Sequence, residues 1–244
     1  TQAGGLVGQS THLSGPTVSN SYWDAQASGQ SEGCGSAGYA GACSGVTALT
    51  TAGTLQSGNF TGFSIDTTGG QGLPWRQYEG ATTPLLEAFL TPITVQPGSL
   101  TQQYSAAAPV IGVTTYGAQP SLTFGRAQLA GVTKNAGVSS ITYVGGLYSN
   151  QLGYDFVAST TPGSLTITPA PLTLAAVSDS RSYDATTTSA GTPRVSGLLG
   201  EDGIFSLSQS FGSANVMGAN GSTLVVNPGY FLNDGNGGNN YTVT

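Results

Sequence analysis

The chain reads as all-β, and three observations lead there. Apolar residues alternate with Thr, Ser and Gln at period two. Glycines punctuate the alternating segments. No window sustains the 3.6-residue apolar stripe of a long helix. Ile93 and Val95 alternate with Thr94 and Gln96, Leu122 and Phe124 flank Thr123, and Ile141, Tyr143 and Gly145 alternate with Thr142 and Val144. Leu165 and Ile167 alternate with Thr166 and Thr168.

The composition fits that class. The chain has 244 residues, room for two or three domains. Only 7% are charged, against roughly 25% in ordinary globular chains. With 38% apolar residues the chain still has material for a core, so it lacks the signature of disorder. Solubility falls to Thr, Ser, Asn, Gln and Gly, which suit strand faces and turns. The net charge is −6, with Lys134 the single lysine. No basic stripe exists to hold a nucleic acid or an anionic membrane surface. No apolar run reaches the roughly 18–20 residues of a membrane-spanning helix. The opening TQAGGLVGQS lacks the basic start and apolar stretch of a signal peptide, so any export signal is expected outside this sequence.

Residues 1–91 are expected to form one region. Short apolar pairs recur in a glycine-rich background: Leu6-Val7, Tyr22-Trp23, then Val46 and Leu49. Short strands between glycine turns suit a stacked β-solenoid, and a small sandwich fits them too. Cys34 and Cys43 lie nine positions apart, without the histidines of a zinc site. A local disulfide made in an oxidising compartment is one reading, and two free buried thiols the other. Thr50–Gln56 has a Thr cap for one or two helical turns, weakened by Gly53. Trp75, Tyr78, Leu85, Leu86, Phe89 and Leu90 form the most apolar part. They are expected to close an open end that would otherwise expose strand edges.

Residues 92–168 and 169–244 read as two copies of one scheme, each a small β-sandwich, Ig-like or β-grasp-like. Ile93 precedes Tyr104 by eleven residues, and Leu172 precedes Tyr183 by eleven. The stretch Thr166–Thr188 is the joint: one copy ends at Leu165–Thr168, Pro169–Pro171 gives a stiff link, and Leu172–Leu174 opens the next. The first copy carries the strand Leu165–Thr168 after Tyr154, whereas the sequence stops three residues past Tyr241. The second copy is therefore expected to have an unpaired edge, filled by residues beyond Thr244.

Several motifs resemble known families. Gly5-Leu6-Val7-Gly8, Asn20-Ser21-Tyr22-Trp23-Asp24 with Ser28-Gly29-Gln30, Leu49-Thr50-Thr51-Ala52, and Trp75-Arg76-Gln77-Tyr78-Glu79-Gly80 with Thr83-Pro84-Leu85-Leu86 follow one another in order. The series resembles filamentous-haemagglutinin-type bacterial adhesins, the exoproteins of two-partner secretion. It implies the C-terminal end of a right-handed parallel β-helix. The cysteine loop departs from that pattern. Tyr183-Asp184-Ala185-Thr186-Thr187, with Val195-Ser196-Gly197-Leu198 and Asn240-Tyr241-Thr242, resembles the YDG-type repeat and the related MBG repeats. The earlier copy keeps Tyr104 and Gly153-Tyr154-Asp155-Phe156.

No catalytic constellation emerges. His12 is the single histidine and has no carboxylate near it in sequence. Asp24 with Glu32, Asp66 with Glu79, and Glu201 with Asp202 are carboxylates close in sequence. None is fixed across a cleft as a glycosidase requires, and the last pair is expected on opposite faces of a strand. Asn233–Asn240 has one carboxylate, Asp234, too few for calcium, and reads as a turn. Asn59, Asn220 and Asn240 begin glycosylation sequons, near chance for this composition. Tyr22, Trp23, Trp75 and Tyr78 have the rings used to stack on sugars, and core packing asks for the same residues.

The expectation is a non-enzymatic segment of a secreted bacterial surface fibre, without metal or cofactor. It would serve cell adhesion or biofilm formation, with an unidentified glycan or protein receptor on the host surface or matrix. An outer-membrane transporter would be its partner during secretion. The alternatives are a carbohydrate-binding module for mucin or biofilm polysaccharide, and the stalk of a contact-dependent toxin.

Overall fold

A computed structural model describes residues 3–9, 18–35 and 43–244. The chain is mostly β. Among the described residues the strands in chain order are β1 (Ser21–Asp24), β2 (Val46–Leu49), β3 (Ile65–Asp66), β4 (Trp75–Arg76), β5 (Leu85–Leu86), β6 (Thr91–Pro97) and β7 (Leu100–Gln103). Then come β8 (Val113–Thr115), β9 (Phe124–Ala130), β10 (Gly137–Tyr148), β11 (Tyr154–Ala158), β12 (Gly163–Thr168) and β13 (Ala170–Ala175). The last are β14 (Arg194–Ser196), β15 (Gly203–Phe205), β16 (Gln209–Phe211), β17 (Leu224–Val226), β18 (Phe231–Asn233) and β19 (Tyr241–Val243). Among the described residues helix amounts to one α-turn, α1 (Ala25–Ser28), and short 3-10 turns. Asp24 caps α1 by accepting from the Ala27 N–H. No described helix is long and apolar enough to cross a membrane.

The chain folds as two units. Unit 1 holds Thr1–Gln96, Val113–Leu129 and Tyr143–Thr161, and unit 2 holds Pro97–Gly112, Ala130–Thr142 and Pro162–Thr244.

In unit 1, β1 and β2 pair in parallel, with Ser21 opposite Val46, and Val7 makes an isolated parallel bridge to Cys34. β3 runs parallel to β4, and β5 pairs antiparallel with β4. A second sheet has the order β11-β6-β8, with β6 and β11 parallel and Thr91 opposite Tyr154. Alternation along β6 buries Ile93 and Val95. They join Tyr78, Leu85, Leu90, Tyr143, Leu147, Tyr154 and Phe156 in one core. Each such side chain contributes about 1.5–3 kcal/mol through burial. Leu86 and Phe89, expected in the closing apolar group, are exposed instead. Gln151 bonds both backbone groups of Leu86, so this edge is met by a polar side chain. The helical turn expected within Thr50–Gln56 is a 3-10 turn, Gly53–Leu55, with the Gly53 N–H donating to Thr50 Oγ1. Leu122 is no strand residue: Pro120 starts a 3-10 turn over Pro120–Leu122, and β9 begins at Phe124. Gly125 and Gly146 have positive φ, and a Cβ on either would stand within about 2.2 Å of a carbonyl oxygen of the facing strand.

In unit 2, β12 lies between β7 and the first half of β10. Leu165 is opposite Leu100 in the parallel pair and opposite Ser139 in the antiparallel one. A separate sheet has the order β14-β13-β19, with β13 and β19 parallel and Ala170 opposite Tyr241. Two hairpin pairs complete the unit, β15 with β18 and β16 with β17. Tyr104, Ile141, Leu165, Ile167, Ala170, Leu172 and Tyr241 are buried. Pro169 is the single residue between β12 and β13. Glu201 and Asp202 lie in the turn before β15, not on a strand; Gly200 has φ +60° there, and the Asp202 N–H bonds the Leu199 carbonyl.

Candidate functional sites

The most charged cluster of unit 1 is interior. Arg76 on β4 donates from Nε to Asp155 Oδ1 on β11 at 2.7 Å, with both side chains almost fully buried. Its Nη1 donates to the Asp66 and Gln77 carbonyls, and its guanidinium lies 4.0 Å from the centre of the Tyr78 ring. The second oxygen of Asp155 accepts from the Gly70 N–H. Asp66 closes the same loop by accepting from the N–H groups of Thr68, Gly69 and Gln71. Burial pushes the Asp66 carboxyl up, yet these N–H groups and the Arg76 charge outweigh it and hold it below the usual range. Gly69, at φ +96°, is required because a Cβ would lie 2.3 Å from the Phe156 carbonyl oxygen. The Tyr78 hydroxyl donates to the Tyr154 carbonyl and accepts from the Phe156 N–H, and burial pushes its pKa up.

Glu87 stands beside this cluster. Burial first, then the charges of Asp155 and Asp66, push its carboxyl up to about 7. Its Oε2 is buried with no hydrogen-bond partner among the described residues. A cleft of about 550 Å³, lined in part by Arg76, Tyr78, Glu79, Gln128, Tyr143 and Tyr148, opens in the same unit.

The residues singled out in the sequence fall as follows. Cys34 and Cys43 are bonded to each other. Trp23 is buried, with Gly5 and Gly33 against its ring, so the sugar-stacking role considered for it meets a face already covered by protein. Tyr78 is likewise buried, under Arg76. Trp75 is half-buried and stacks one face on Phe63 at 4.8 Å. Tyr22 meets Phe60 and Phe63 edge-on. His12 lies outside the described residues. Among the described residues no three His, Cys, Asp or Glu gather as metal ligands.

The near-sequence carboxylates serve local structure. Asp24 caps α1 and also accepts from Thr51 Oγ1. Glu79 accepts from the Ser57 N–H. Asp234 accepts from the N–H groups of Asn236, Gly238 and Asn240, which winds Asn233–Asn240 around one carboxylate. Asn240 is buried, and its side chain bonds the Ala136 N–H and the Asp234 carbonyl, so no glycan can attach in this fold.

Unit 2 has a polar centre of its own. Tyr104 and Tyr241 both donate to Asp202 Oδ2, at 2.9 and 2.6 Å, with their rings edge-on at 5.5 Å. Burial and then the bond to Asp202 raise Tyr104 to about 12, and the same causes raise Tyr241. Repeat spacing singled out Tyr104 and the resemblance to YDG-type repeats the late Asn240-Tyr241-Thr242, but neither marked Asp202 as the shared acceptor of the two tyrosines. The Arg76–Asp155 pair was missed altogether. Its one sequence signal is an arginine set between the aromatics Trp75 and Tyr78 in a chain that has four arginines. A groove of about 550 Å³ also runs along residues 178–183, faced by Phe211, Met217 and Leu224.

The YDG domain family model matches residues 168–244. The matched stretch spans β13 to β19 and supports reading it as a YDG/MBG-type repeat. No curated protein and no solved structure matches the chain.

Proposed function

We propose that the chain is a structural and adhesive segment of a large secreted bacterial surface fibre, of the filamentous-haemagglutinin type. It holds binding regions away from the cell. One observation carries this reading: a strand scheme recurs along the chain with almost no slack between copies. The parallel pair β6–β11 (Thr91 opposite Tyr154) returns as β13–β19 (Ala170 opposite Tyr241), each flanked by a third strand, β8 or β14. One proline separates the last strand of the first copy from the first strand of the second. A proline joint of one residue transmits direction where a glycine-rich tether would lose it.

In this reading residues 1–91 are the end and cap of a right-handed parallel β-solenoid, 92–168 a first sandwich repeat, and 169–244 the YDG-type repeat. The parallel register of β1 on β2 and of Val7 on Cys34 supports the solenoid, since each joins positions about 25 residues apart, one coil of chain. Secretion through an outer-membrane transporter and a glycan or protein receptor at the far end belong to the same proposal. The disulfide agrees with an oxidising destination. A glycan array on the whole chain tests it. The fibre reading expects no saturable binding by this segment itself. Saturable binding that Trp75→Ala abolishes, with the circular-dichroism spectrum unchanged, would instead assign a carbohydrate-binding module.

A further inference from the structure

We propose that Tyr104 and Asp202 form a latch between the two copies, which holds the strands before Pro169 against the sheet after it, with Asp202 as the positioning residue. The latch lies wholly within unit 2 and does not depend on the fibre reading.

Both copies contain the same turn, built in the same way. In the first, the Tyr154 hydroxyl on β11 accepts from the Gln119 N–H, and the Leu122 N–H donates back to the Gln119 carbonyl. In the second, the Tyr241 hydroxyl on β19 accepts from the Leu199 N–H, and the Asp202 N–H donates back to the Leu199 carbonyl. Each turn follows the third strand of its sheet, β8 or β14. The copies part at the fourth position of the turn. Leu122 is partly exposed there. Asp202 instead offers Oδ2 to two hydroxyls, that of Tyr241 in its own copy at 2.6 Å and that of Tyr104 in the first copy at 2.9 Å. The first copy closes this turn with a leucine, so the turn itself needs no carboxylate. What the carboxylate adds is the bond across to Tyr104.

The joint has use for such a bond. On one side the Thr168 carbonyl accepts from the Tyr104 N–H, and on the other the Ala170 N–H donates to the Asn240 carbonyl. Pro169 stands between them with φ fixed by its ring and ψ free. A single free torsion is enough to swing one sheet over the other. Contacts off that axis stop the swing. Tyr104 supplies one: its ring meets Tyr241 edge-on and its hydroxyl reaches Asp202. Tyr104 is buried, so breaking the bond would leave a buried hydroxyl unpaired. Hydrogen bonds to a carboxylate are also the stronger kind. The second contact is made by Ala136, just before β10, whose first half pairs with β12. Its N–H donates to Asn240 Oδ1, and its carbonyl accepts from Asn236 Nδ2. The backbone is closed tightly beside the latch, where a Cβ on Gly200 would stand 2.8 Å from the Ala106 Cβ.

The test is a distance measured across the joint in the whole chain. Spin labels go on Thr101→Cys in β7 and Ser196→Cys in β14, both exposed positions, and the native cysteines are bonded to each other and take no label. Double electron–electron resonance should give one narrow distance. Asp202→Leu, which installs the first copy's residue, and Tyr104→Phe, which removes one hydroxyl, should each replace it with a broad distribution. Hydrogen exchange of the Ala136 N–H, which neither substitution touches, should quicken about tenfold in both, as expected for the loss of a hydrogen bond to a charged partner. Pro169→Ala should leave the distance narrow and the exchange slow. Tyr104→Phe keeps the test decisive if Asp202→Leu disturbs the turn. An unchanged distance in Tyr104→Phe would overturn the proposal. So would a broadening by Pro169→Ala as large as that by Tyr104→Phe, because the proline would then set the joint.

Discussion

Tyr104 and Tyr183 occupy the same step of the same scheme, yet one is sealed in and the other faces solvent. The difference is made by their neighbours. Tyr104 has β12 beside it, the Tyr241 ring against its edge and Asp202 at its hydroxyl. Around Tyr183 the local residues mostly bond each other: Arg181 donates to Asp184, Thr186 and Thr188, and Asp184 accepts from the Thr186 N–H. A sequence repeat therefore fixes neither burial nor the local backbone: β7 precedes Tyr104, whereas residues 179–182 before Tyr183 form no strand. Burial depends on which strand fills the adjoining slot.

The same lesson applies at β11 and β19, where the sharpest contrast is expected. Asp155 and Thr242 follow the paired tyrosines Tyr154 and Tyr241. Asp155→Ala strands the buried Arg76 charge and should cost about 3–5 kcal/mol in denaturant unfolding. Thr242→Ala, at an exposed position, should change stability by no more than about 0.5 kcal/mol. Equal effects would mean that the first copy does not depend on its ion pair. Next in size is Tyr104→Ala, expected to cost about 3 kcal/mol as a large core ring is lost. Tyr183→Ala, at an exposed ring, should remain within about 0.5 kcal/mol. Removing the disulfide with Cys34→Ser and Cys43→Ser should cost about 2–3 kcal/mol, felt in unit 1 and absent from exchange protection in unit 2.

The smallest expected effect is a pH dependence between about pH 4.5 and 7, carried by Glu87 in unit 1. The folded pKa of Glu87 is raised to about 7 from an ordinary value of 4.5, so the folded state binds the proton more tightly than the unfolded state. Stability should therefore be greatest near pH 4–5 and fall as the pH rises towards 7. Glu87→Gln should flatten that slope in thermal melts. Asp66 acts in the opposite sense: its lowered pKa gives stability that is lost as the pH falls below its ordinary 3.8. A melting temperature that rises between pH 5 and 7 would break this assignment.

The sequence made the all-β class and several buried strand faces readable, because period-two alternation reports directly which face of a strand is buried. Ile93 and Val95, Leu165 and Ile167, and Leu172 all sit on the buried faces of their strands. Alternation failed at Leu122, where the backbone preference of Pro120 prevails over the pattern. It was silent on Leu86 and Phe89, which look like core residues and stand in solvent. The polar centres were the least readable. Arg76 and Asp155 lie on strands far apart in the chain, Tyr104 and Asp202 are likewise far apart and lie outside strands, and no local period links such partners. The carboxylates of Asp66 and Asp234 wind loops around themselves, which composition alone shows only as glycine and asparagine.

The parallel pairing of β13 with β19 has a mechanical consequence. The chain enters at the start of one strand and leaves at the end of its neighbour, and both point the same way. Tension along the polypeptide would pull these strands past each other lengthwise. Their hydrogen bonds would be loaded together in shear, where an antiparallel hairpin would open one rung at a time. β6 and β11 present the same geometry. Tension across either pair would thus act in shear.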